Sequence, residues 1–268
     1  LNLNDIFANA KEPKPFLVSR NNILIPILTQ QMRDENKRVY KKADEAAFRA
    51  SGIGGCSRKM MYQLLGYESE PEHLSVFTLQ QGTIIHEMIQ GYLQRSGIIE
   101  SLEEELTILP RLKGHYDGVI KINGERYLLE IKTINHLAYE RVSKYNVIYN
   151  KYILQAHCYM KALGLTKCIF LFVNKGHMVT EEFAKENPHI DPVFHEIPLD
   201  FDEKIWADIE SKLELLTEQF SLGIMPPAKK VSECSYCQFA EKCKQDWKEE
   251  KAAKKKPNSA LGEKKNKK

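Results

Sequence analysis

The sequence predicts an α/β fold in which helices flank a mixed central β-sheet. Three observations lead there. Helical and strand periodicities alternate along the chain, an Asn-Gly hairpin signal joins two β-rich runs, and a long amphipathic helix follows the last strand. The length, 268 residues, suits one large domain with small elaborations.

Residues 1–50 read as a loop followed by an exposed helix, because between Met32 and Ala50 charged residues alternate with few apolar ones. Ser57–Gly66 and Val76–Ser96 read as helices. In the second, Phe77, Ile84, Ile85, Met88, Ile89, Tyr92 and Leu93 recur at helical spacing. From Leu106 to Thr133 the pattern is that of strands. A helix returns at about Ile148–Leu163, and strands are expected near Cys168–Asn174, Met178–Phe183 and Val193–Leu199. Ile205, Ile209, Leu213, Leu216 and Phe220 then share one face of a long helix, with Asp202 as its N-cap and Gly223 as its stop. Pro226-Pro227 breaks the pattern before a compact cysteine segment, Cys234–Cys243. The expected organisation is an extension over 1–50, a core over 51–225, a cysteine segment over 226–247 and a Lys-rich tail over 248–268.

The composition, 43% hydrophobic and 28% charged, is that of a soluble globular chain and excludes a disordered or fibrous bulk. The longest apolar runs, Ile23–Leu28 and Cys168–Val173, are far short of the about 20 residues that span a bilayer. No charged-then-apolar leader opens the sequence, so a cytoplasmic protein is expected, or one in host cytoplasm if phage-encoded. The net charge of +3 divides unevenly: residues 251–268 carry +7 and residues 1–250 carry −4. The Lys-rich end reads as a solvated segment or as a phosphate-tracking arm. Composition alone does not point to nucleic acid.

The most informative stretch runs from Gly114 to Thr133. Asn123-Gly124 suits a two-residue hairpin turn, which pairs residue 122 with 125 and so places Asp117 opposite Glu130 and His115 opposite Lys132. Side chains alternate along a strand, so these four share a face, and Tyr116, Ile120, Leu129 and Ile131 take the apolar one. Directly opposed carboxylates repel. A divalent cation is the simplest group to hold them; the plain alternative is a solvated hairpin face.

Asp117 followed by Glu130-Ile131-Lys132 resembles the signature of the PD-(D/E)xK nucleases, with Tyr116 where the strict motif has Pro. Gly82-Thr83-Ile84-Ile85-His86 resembles the Gly-x-x-x-His motif of their RecB-like branch, and Gln155-Ala156-His157-Cys158-Tyr159 its Gln-x-x-x-Tyr motif. The order of these pieces matches that branch. The resemblance implies a restriction-endonuclease-like core and a metal-dependent DNA exonuclease acting on ends or single strands, in recombination, repair or phage DNA metabolism. It also admits a nuclease that trims fragments for CRISPR integration with integrase partners, and a homo-oligomer. A non-catalytic DNA-binding or assembly subunit is the rival from another class; the intact Asp117, Glu130 and Lys132 argue against it. By the same resemblance His86, Asp117, Glu130 and the Ile131 main-chain carbonyl would ligate Mg²⁺ or Mn²⁺. Lys132 would orient or deprotonate the attacking water, and Gln155 and Tyr159 would position DNA or support Lys132. His115 has no role in that pattern.

Of six cysteines, Cys158 and Cys168 fall in an apolar helix and strand and read as buried small hydrophobes. Cys234-x2-Cys237-x5-Cys243 packs three thiols into a segment with few apolar residues, which needs a metal to fold, and Cys56 supplies a fourth. Spacing alone favours tetrahedral zinc. The resemblance reverses that preference, because one early Cys followed by C-x2-C-x5-C, with Cys56-Ser57-Arg58-Lys59-Met60-Met61-Tyr62 around the first, is similar to the iron–sulfur RecB-like nucleases of the AddB and CRISPR-associated exonuclease type. It implies a 4Fe–4S cluster on Cys56, Cys234, Cys237 and Cys243 that staples the N-terminal helical region to the C-terminal segment.

Overall fold

The computed structural model describes residues 24–35, 46–67, 73–176 and 178–255. Its centre is the hairpin. Strands β5 (Gly118–Ile122) and β6 (Glu125–Ile134) pair from Ile122↔Glu125 to Gly118↔Leu129, the register set by the turn. Asn123 and Gly124 have φ of 53° and 85°, the left-handed pair that a type I′ turn requires.

Around it lie five strands in the order β2-β5-β6-β7-β8, where β2 is Ile99–Ser101, β7 Lys167–Asn174 and β8 Phe194–Asp200. Strands β6 and β7 are parallel and the other neighbours antiparallel, so the sheet is mixed, as expected. A smaller sheet has the order β1-β4-β3, from β1 (Phe48–Arg49), β3 (Glu105–Leu109) and β4 (Leu112–His115).

Helices in described residues are α1 (Leu24–Glu35), α2 (Ser57–Leu64), α3 (His73–Arg95), α4 (His136–Tyr145), α5 (Asn150–Leu163), α6 (Glu181–Glu186), α7 (Glu203–Ser221) and α8 (Ala240–Lys255). None is long and apolar enough to cross a membrane. Alternation along β6 sorts the core into two layers. Leu129 and Ile131 pack with Ile89 of α3, whereas Leu128 packs with Ala156 and Tyr159 of α5 and Ile209 and Leu213 of α7. Asp202 caps α7 by accepting from the Lys204 N–H at 2.8 Å, as expected.

Three expectations are corrected. The β5–β6 ladder stops at Gly118, so Asp117, outside the strand, is not paired opposite Glu130, and His115 is not opposite Lys132. It belongs to β4 in the other sheet, pairs with Glu105 and is exposed. The cause is Tyr116, whose ring is buried with its hydroxyl on Ser101 Oγ at 2.8 Å, turning the chain from one sheet into the other. Met178–Phe183 is not a strand: the Thr180 side chain accepts from the Phe183 N–H and starts α6, with Glu181 and Glu182 in its first turn. The end of the expected exposed helix over Met32–Ala50 is instead core, since Phe48 lies in β1 and both Phe48 and Ala50 are buried; α1 stops at Glu35, and residues 36–45 lie outside the described ones. Of the expected tail over 248–268, residues 248–255 continue α8, and those from 256 lie outside the described ones too.

Candidate active site

The early end of β5 makes the site. Beyond Gly118↔Leu129 the flank of β6 that faced β5 has no strand beside it among the described residues, and the Ile131 N–H donates instead to Asp117 Oδ2 at 2.6 Å. In a strand the N–H and C=O of one residue point to the same side, so the Ile131 carbonyl faces the same gap. Asp117 Oδ1 lies 3.5 Å from His86 Nδ1 of α3. Burial pushes the Asp117 carboxyl up, but the His86 contact, the Lys132 charge and the Ile131 N–H outweigh it and hold it below its ordinary value.

Glu130 points to the other layer and is 0% exposed. Its Oε2 accepts from Lys132 Nζ at 2.6 Å, whereas its Oε1 has no hydrogen-bond partner among the described residues. Burial first, and then the Asp117 charge, push this carboxyl up to about 7 against the pull of Lys132. A buried acceptor without a donor is costly and uncommon.

Lys132 is fixed from several directions. Besides Glu130, its Nζ donates to Gln155 Oε1 at 3.2 Å and stands 5.1 Å from the centre of the Tyr152 ring. Gln155 Nε2 in turn donates to the Tyr159 hydroxyl at 3.3 Å. Tyr159 is buried against Gly114, where a Cβ would come within 2.7 Å of its ring, so only glycine in β4 leaves this tyrosine its place. Burial works against the Lys132 charge, but Glu130 and Asp117 more than offset it and keep the ammonium protonated.

The structure therefore brings together His86, Asp117, Glu130, Lys132, Gln155 and Tyr159, and leaves His115 at the rim. A cleft of about 460 Å³ reaches His86 and Asp117 between Leu79 and Thr83 of α3 and His115, Thr133 and Lys175. Among the described residues no group of three or more His, Cys, Asp or Glu is arranged as a ready metal site. The donor chemistry nonetheless fits a hard divalent cation: two carboxylates, an imidazole, a carbonyl facing the gap, and the partnerless Glu130 Oε1.

Two contributors were missed in the sequence. Gln90, buried on α3, donates through Nε2 to the Asp117 carbonyl at 2.8 Å and to Glu103 Oε1 at 3.0 Å. It stands one helical turn after His86, so the i, i+4 spacing was the available signal. Tyr152, three residues before Gln155 on α5, carries the ring beside Lys132.

Cys56, Cys234, Cys237 and Cys243 all line a second cavity of about 480 Å³, with Arg58, Tyr62 and Phe239. Cys158 and Cys168 are fully buried, as expected, and burial pushes the Cys158 thiol up to about 12.

No protein-family model matches the sequence, and no curated protein matches it. Solved structures share the fold. The alkaline exonuclease LHK-Exo from Laribacter hongkongensis superposes with a TM-score of 0.51 at 15% identity, over 84% of this chain and 99% of that one. LHK-Exo in complex with dAMP gives 0.51 at 16% identity, over 78% of this chain and 94% of that one. The mixed sheet and its flanking helices are thus the architecture of a known exonuclease.

Proposed function

We propose that this protein is a metal-dependent DNA exonuclease that hydrolyses phosphodiester bonds at DNA ends or in single strands. The observation that carries the reading is Glu130 Oε1, a buried carboxylate atom without a hydrogen-bond partner among the described residues, set near Asp117 and beside a protonated lysine. The fold shared with an alkaline exonuclease supports it.

His86, Asp117, Glu130 and the Ile131 carbonyl would hold Mg²⁺ or Mn²⁺, which supplies Lewis-acid stabilisation of the phosphate and a more acidic water. Asp117 and Glu130 bring the negative charge that draws the ion in. Lys132, kept protonated by those carboxylates, orients the water and stabilises charge growing on the phosphate rather than taking a proton. Gln155, braced by Tyr159, and Tyr152 hold the Lys132 ammonium in place. Gln90 holds the main chain of Asp117.

Cys56, Cys234, Cys237 and Cys243 would hold a 4Fe–4S cluster. The support for it is the all-thiolate donor set and the placing of all four thiols on one cavity. Thiols kept for metal binding suit a reducing, cytoplasmic compartment.

The test is degradation of end-labelled single- and double-stranded DNA with and without Mg²⁺ or Mn²⁺. Parent protein is expected to shorten the label in a metal-dependent way, and Asp117→Ala to abolish this. Degradation unchanged in Asp117→Ala, or indifferent to chelator, contradicts the reading.

A further inference from the structure

The resemblance makes a cluster the staple between the chain's early helix and its C-terminal segment, but the structure shows a staple made of protein. Arg58, two residues after Cys56, is 1% exposed, and its guanidinium reaches three places. Nε donates to the Tyr62 hydroxyl at 3.0 Å within α2. Nη1 donates to the Pro226 carbonyl at 2.9 Å, 168 residues away, and Nη2 to Glu250 Oε1 at 2.7 Å, 192 residues away.

The placement of those partners gives the network its meaning. Pro226 lies in the Pro-Pro break just before the Cys234–Cys243 segment, and Glu250 lies on α8 just after it. One side chain therefore grips the three-cysteine segment at both ends. Asp246 of α8 reinforces the grip. It accepts from the Tyr62 hydroxyl at 2.7 Å and from Lys242 Nζ at 2.7 Å, and stands 3.7 Å from Arg58 Nη2. On the other side of Cys56, Lys212 of α7 donates to the carbonyls of Ile53 at 2.6 Å and Gly55 at 3.1 Å, which fixes the approach of the chain to that thiol. A planar guanidinium with several donors in a rigid fork suits such a junction, and lysine cannot reproduce it.

We propose that Arg58 is the positioning residue that builds the four-thiol site, joining α2 to both ends of the cysteine segment so that the cavity stands before any metal arrives. This rests on reading that cavity as a metal site. Closing a loop of this length costs chain entropy, which the buried network offsets in the metal-free chain. Loss of the metal then leaves the four thiols lining one cavity, and metal loading is a filling step rather than a folding step.

The full-length metal-free protein, treated with a short bis-maleimide and mapped by mass spectrometry, tests this. Parent protein is expected to cross-link Cys56 to the Cys234–Cys243 segment. Arg58→Met is expected to lower that cross-linking at least tenfold with the far-ultraviolet dichroism of the core retained, and Arg58→Lys to restore part of it. Should Arg58→Met fail to fold, Glu250→Gln, which removes the negative charge from one of the three contacts at a half-exposed partner, is expected to lower cross-linking several-fold. Parent-like cross-linking in both Arg58→Met and Glu250→Gln, or none in the parent, overturns the proposal. Iron and sulfide content of protein purified without oxygen reports separately on the cluster. Cross-linking with no iron leaves Arg58 its role and defeats the cluster, and iron without cross-linking in the metal-free form does the reverse.

Discussion

Lys132→Met is expected to lower kcat for DNA degradation by about 10²–10³-fold while leaving the affinity for Mn²⁺ within a few-fold of the parent's, because in the proposed reaction it removes the charge that meets the developing phosphate and none of the ion's proposed donors. Methionine preserves most of the bulk beside Tyr152. The buried Glu130 loses its only cationic hydrogen-bond partner in the described structure, which in a buried pair ordinarily costs about 3–5 kcal/mol. Here the penalty is blunted. Glu130 is already pushed up to about 7, so it takes a proton instead of remaining an unpaired anion. The variant should therefore melt closer to the parent at pH 6 than at pH 8. A kcat within tenfold of the parent's would show that Lys132 serves the fold and not the reaction.

Metal-free protein is expected to lose stability as pH rises from about 4.5 to 7, and Glu130→Gln to remove that loss. The sign follows from proton counting. The unfolded Glu130 releases its proton near 4.5, while the folded one keeps it to about 7, so within that window the folded state binds more protons and rising pH favours unfolding. The full effect is about 3 kcal/mol, expressed above pH 7. Asp117 has the opposite sign: held below 3.8, it stabilises above that value and loses its contribution as pH falls through its folded pKa, beneath the window. His157 also opposes, since burial lowers its pKa from 6.5, so protonation of the unfolded chain draws stability away as pH falls below that value. The difference between parent and Glu130→Gln, followed by thermal melts across pH 4.5–8, isolates the one carboxyl. Saturating Mg²⁺ should flatten the parent's profile as the substitution does. Parallel profiles for the two proteins would mean that Glu130 stays ionised in the fold.

The readable features were the local ones. Asn123-Gly124 set the turn, and the turn set the whole β5–β6 register. His86, Gln155 and Tyr159 fell where helical spacing put them, because three and four residues are fixed distances on a helix. The failures came where a buried side chain outweighed alternation. Tyr116 fits the hairpin pattern as well as Asp117 does, yet its burial against Ser101 ends β5 and sends His115 into the other sheet. At Met178–Phe183 the apolar residues suggested a strand, although Thr180 with two glutamates behind it was a helix start visible in the sequence. Arg58 reaches Pro226 and Glu250, 168 and 192 positions away, and no local pattern reports such partners. Phe77, Ile84, Met88 and Tyr92 of α3, periodic like core residues, are exposed in the fold.

Crystals soaked in Mn²⁺ and measured at the manganese absorption edge show whether the gap beside β6 binds a metal. One anomalous peak is expected in contact with His86 Nδ1, Asp117 Oδ1, Glu130 Oε1 and the Ile131 carbonyl, absent in Glu130→Gln crystals. A soaked crystal with manganese bound elsewhere and none between Asp117 and Glu130 would contradict this expectation.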